Sequence, residues 1–192
     1  MDTSLFSKPV QDLLALNADS AYRDLVVSGD GYEPAREALK QLKPADLFAK
    51  PVVRSDEAMA ALSGLWLWHD WLDDSHTISQ GLHSQTGSYW HAIMHRREGD
   101  FSNSKYWYHK APGHPVRKEI APKAADIVRQ SKSAQLVSAV LSGGFDPDAL
   151  VDLAEEVTRS TNHPAADTIV ALQKAEWECL FESCAQAAVA RN

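Results

Sequence analysis

Apolar residues recur three and four positions apart along nearly the whole chain, and no run alternates apolar with polar residues over strand length. This pattern predicts an all-α protein. Short helices are expected over 9–17, 19–27 and 33–42, with the GDG run at 29–31 as a break and Pro34 in a first helical turn. Ser55, followed by Asp56 and Glu57, is a good N-cap with acid in the first turn, and it opens a long helix from 56 to 82. A helix over 88–98 should close on Gly99, a position where a left-handed residue is favoured. Further helices over 121–141, 147–160 and 165–189 bring the expectation to a bundle of about seven to eight. No internal repeat or low-complexity tract divides the chain, so a single domain over 1–192 is expected, with its site-bearing core at 56–115.

Two of these helices carry polar groups where apolar ones belong. On the 56–82 helix, His69, Asp73, His76, Gln80 and His83 share one face, and the same stripe continues toward the N-terminus as Leu62, Leu65 and Trp66. On the 88–98 helix, Ser88, His91, His95 and Glu98 fall within roughly 80° of arc, while Trp90, Ile93 and Met94 take the other side with Arg97 among them. Neither side is cleanly solvent-facing, so this helix should be central with both faces occupied. Polar side chains on a core-facing stripe must find partners, and a lined cavity, a metal or a hydrogen-bond network would each supply them.

Seven of the eight histidines lie between His69 and His114, and five of the six tryptophans fall in or just before that stretch. Composition elsewhere is ordinary: 44% hydrophobic, 23% charged, no apolar run of membrane-spanning length and no leader-like start, which suits a soluble cytoplasmic protein. A formal net charge of -7 argues against general nucleic-acid binding. The two cysteines, Cys179 and Cys184, sit on one helix pointing roughly 140° apart, so they should not pair, and Cys184 reads as a small buried hydrophobe.

The histidine pair HAIMH lacks the Glu after the first His that a zincin needs, but two imidazoles at i and i+4 can still chelate one ion. The expected metal set is His91 and His95 with His69, Asp73 and His76 from the long helix, and zinc or iron as the divalent metal. Glu98 and Asp70 are the candidate proton-transfer groups. A basic and aromatic rim of Arg96, Arg97, Asp100, Asn103, Lys105, Tyr106 and Trp107 would hold a small, anionic or polar organic substrate. These assignments describe a metal-dependent hydrolase or oxygenase. Two alternatives stay open: a metal-free small-molecule binder or acid/base protein using the same pocket, and a structural or partner-binding helical protein; either is compatible with a homo-oligomer.

The runs WLWHDWLDDSHTISQ and GSYWHAIMHRREGDFSNSKYW resemble a family of hypothetical proteins from bacteria and plants, a resemblance over residues 60–115 that carries no activity with it. The His69-Asp70 dipeptide is similar to part of the HD-domain phosphohydrolase motif, which also needs an earlier histidine that this chain lacks. A looser likeness is to DinB-like helical bundles, which bind a metal through a His on one helix and an HxxxH pair on another. The same order occurs here, with His69 or His76 ahead of His91 and His95, at a much shorter separation.

Overall fold

A computed structural model describes residues 1–190, and within them the chain is all-helical, with one isolated bridge between Phe6 and Phe48 as the nearest approach to a strand. Ten helices occur, two or three more than expected: α1 (Lys8–Leu16), α2 (Glu33–Gln41), α3 (Ser55–Trp68), α4 (Leu72–Gln80), α5 (Gln85–Glu98), α6 (Phe101–His109), α7 (Val116–Gln130), α8 (Ala134–Val137), α9 (Pro147–Thr158) and α10 (Ala166–Val189). None of the described helices is long and apolar enough to cross a membrane.

Helices α3, α5 and α10 form the centre. Every residue of α3 from Ala60 to Trp68 and every residue of α5 from Thr86 to Arg97 is buried, which explains why neither shows a clean solvent face in its sequence. Gly64 on α3 lets α5 approach closely: a β-carbon there would stand 2.5 Å from the Trp90 ring. The backbone carbonyl of Gly64 also accepts a 2.8 Å hydrogen bond from the Trp177 indole of α10, so one position ties the three central helices together. Helices α4 and α6 flank α5, α7 lies along α10, and α9 lies against α6. Cys179 and Cys184 are buried and unpaired, and Cys184 accepts from the Trp90 indole at 3.4 Å.

Three expected helices are divided or lost. The 56–82 helix is two, because Asp70 takes a left-handed φ of 61° and the chain turns between α3 and α4. No helix forms over 19–27, where Tyr22 also has a φ of 61° and buries its ring beneath the Arg97 guanidinium, 4.1 Å from the ring centroid. The 121–141 helix starts earlier, at Val116, and gives way after Gln130 to the short α8 and a 3₁₀ turn. In the first two cases a buried Arg97 contact overrides local helical propensity.

Candidate functional site

Helix α4 carries His76 and α5 carries His91 and His95, and the packing of α4 on α5 brings one nitrogen of each ring within 4.8 Å of the other two. The rings of His91 and His95, one helical turn apart, lie 4.7 Å apart with planes 26° from parallel. His76 meets both edge-on, with centroids 4.7 Å from His91 and 5.4 Å from His95. His91 and His95 are buried and His76 is half-buried, so α4 forms the solvent side of the cluster.

The surroundings hold each ring differently. Trp107 of α6 stacks on His91 with centroids 4.0 Å apart and planes 12° from parallel. Nδ1 of His91 is buried without a hydrogen-bond partner among the described residues. Burial, reinforced by the neighbouring His95 and His76, pushes the His91 pKa down to about 3, so its ring is neutral at physiological pH. His95 is anchored instead: its Nδ1 lies 2.9 Å from a Glu98 carboxylate oxygen, and the side-chain amide of Asn103 approaches its Nε2 to 3.0 Å. Asp100 fixes Asn103 in turn, capping α6 by accepting from the Asn103 backbone N–H at 3.1 Å.

The cluster therefore contains three of the five expected metal ligands. His69 ends α3 rather than continuing into α4, so it leaves the stripe that an unbroken helix would have given it. Its ring is fully buried beside Tyr32, with neither nitrogen hydrogen-bonded among the described residues, and burial lowers its pKa to about 4. Asp73 is exposed in the first turn of α4 and does not join the three imidazoles.

The basic rim is mostly internal. Arg96 is fully buried, paired with the Glu176 carboxylate and donating at 2.6 Å to the Tyr108 hydroxyl, while Tyr89 and Tyr108 both donate to Glu176. Arg97 is equally buried and binds the Asp70 carboxylate and the Asp24 carbonyl. Asp70 is thereby committed to holding the α3–α4 turn; burial raises its pKa and Arg97 opposes that rise. Lys105 pairs with Asp152 of α9, and Tyr106 faces solvent. Of the expected rim, only Asn103 and Trp107 contact the cluster histidines, joined by Glu98, which binds a cluster ring. Glu176 was not singled out in the sequence, although an acidic residue among Leu172, Ala175, Trp177 and Leu180 signals a need for an internal partner.

Three convergent imidazoles, one of them neutral with an unpartnered buried nitrogen and another oriented by a carboxylate, can bind a borderline metal ion while leaving coordination positions free. No protein-family model, curated protein or solved structure matches the chain, so the chemistry of this site is read from its own residues.

Proposed function

We propose that His76, His91 and His95 hold a divalent metal, zinc or iron, and that the protein is a metal-dependent hydrolase or oxygenase acting on a small polar organic molecule. The observation that carries this reading is the approach of three imidazole nitrogens to within 4.8 Å of one another. The unpartnered Nδ1 of His91 supports it, since an unsatisfied buried polar atom costs about 1–3 kcal/mol unless a ligand or a ring rearrangement satisfies it. A metal held by three neutral ligands supplies Lewis acidity and draws the pKa of a coordinated water toward neutrality.

The protein's own groups have separable roles around that centre. Glu98 orients His95 by accepting a hydrogen bond from its Nδ1–H, which leaves Nε2 as the ligating nitrogen once the Asn103 amide, 3.0 Å away, turns aside. Trp107 covers one face of His91 and excludes water from it. The substrate side is not cationic: Arg96 and Arg97 are consumed internally and Lys105 pairs with Asp152, while Glu98 and Asp100 lie within one helical turn of the cluster or its Asn103 contact. This favours a neutral polar substrate over an anionic one.

A metal-free acid/base reading is favoured by a different observation, the His95–Glu98 pair at 2.9 Å with Asn103 on the second ring nitrogen. The two readings separate in one assay: a panel of neutral esters, amides and lactones is turned over by protein reconstituted with zinc or iron, by chelated protein and by His91→Ala. Activity confined to the reconstituted wild type supports the metal reading. Activity that survives chelation but not Glu98→Gln supports the metal-free one.

A further inference from the structure

On the other side of α4 from its C-terminal turns, two adjoining cavities of about 450 and 360 Å³ meet at Asp30, Gly31 and Asp70, which line both. Six carboxylates line the combined groove: Asp24, Asp30, Glu33, Asp70, Asp73 and Asp74. Against them stand two cations. Arg97 is buried and bound to Asp70, and Arg36 lies over the Trp71 ring with its guanidinium carbon 3.8 Å from the centroid. The joining loop is pressed flat on the same indole, because a β-carbon on Gly31 would stand 2.4 Å from the Trp71 ring. That close approach places Asp30 where both cavities reach it.

A second observation, independent of the carboxylates, concerns Asn17 in the wall of the smaller cavity. Asn17 is only 7% exposed, and its side-chain N–H donates to the carbonyl of Trp68. That bond fixes the amide orientation and leaves Oδ1 a buried acceptor with no donor among the described residues. The groove thus combines spread negative charge with an acceptor that lacks an N–H donor.

We propose that this groove binds an organic cation carrying more than one ammonium group, a linear di- or polyamine. A single metal ion fits less well. Among the described residues, the three histidines are the one group of possible ligands drawn within 4.8 Å of one another, so the groove carboxylates do not converge on a point. Ammonium groups separated by methylene stretches match charge distributed along two connected cavities, and their N–H donors can satisfy both the carboxylates and Asn17. The site is separate from the histidine cluster and does not depend on its metal.

The test is calorimetric and NMR titration of the full-length protein with spermidine at physiological salt, alongside magnesium, calcium and the uncharged polyether tetraethylene glycol. Saturable spermidine binding is expected, with amide shifts centred on Gly29, Gly31 and Asn17. The exposed pair Asp30→Asn/Asp73→Asn should weaken it about tenfold or more, the loss expected from two solvent-screened carboxylates. These substitutions remove no internal contact, so folding is retained, and an unchanged circular-dichroism spectrum verifies it. Absence of saturable binding, equal binding by the double variant, or tighter binding of calcium than of spermidine would each overturn the proposal.

Discussion

Trp107 lies flat on His91, 4.0 Å between ring centroids and 12° from parallel, and together with the Asn103–His95 contact it joins α6 to the histidine cluster. The indole is half-buried and immediately adjacent to the proposed metal site, which makes it an intrinsic reporter. Titration with cobalt(II) should quench tryptophan fluorescence, and Trp107→Phe should remove most of that quenching while leaving cobalt stoichiometry unchanged. Equal quenching in the variant would show that the ion binds away from His91.

Glu98 touches His95 and acts through it rather than on substrate. Glu98→Gln should lower metal affinity about 10- to 100-fold, the range for loss of a carboxylate that orients a ligating histidine, without changing stoichiometry. Because Glu98 is half-exposed, thermal stability of the metal-free protein should scarcely change. A competition titration with a chromogenic chelator measures the affinity directly.

The Arg96–Glu176 pair is fully buried and shares its hydrogen bonds with Tyr89 and Tyr108. Arg96→Met strands a carboxylate in the core and should destabilise the fold by about 3–5 kcal/mol, whereas the double change Arg96→Met/Glu176→Leu should recover much of the loss. Urea denaturation of the two variants distinguishes this structural role from substrate binding, which would predict little change in stability for either.

Burial depresses the pKa values of both His69 and His114 to about 4, with Arg117 adding to the effect at His114. A histidine that resists protonation only when folded stabilises the fold fully above its unfolded pKa near 6.5 and loses that contribution as pH falls toward 4. Stability should therefore decline between pH 6.5 and 4, by on the order of 2–3 kcal/mol for each fully buried ring. Urea midpoints measured across that range should flatten in His114→Phe, even if its absolute stability is reduced through loss of the Thr86 contact.

The helical class, the Gly99 terminus and the central position of α5 were legible because each follows from local signals: periodicity, a cap residue and polar groups on both faces. The HxxxH pair and His76 were likewise readable from spacing. What spacing hides is a helix break caused from a distance. Nothing near Asp70 in sequence announces its left-handed turn; Arg97, 27 residues later, binds the carboxylate and accompanies the change that removes His69 from the stripe. The same blindness placed Arg96 and Arg97 at a rim. Charge suggested solvent, and their partners, Glu176 and Asp70, lie 80 and 27 residues away.

Elemental analysis decides whether His76, His91 and His95 hold a metal. Wild-type protein purified without a histidine tag should contain near-stoichiometric metal, or take it up on reconstitution with zinc or iron. A His91→Ala/His95→Ala variant of unchanged helical content should contain none. Failure of the wild type to retain zinc, iron, manganese or nickel, or equal retention by the folded double variant, would rule out a metal at these three histidines.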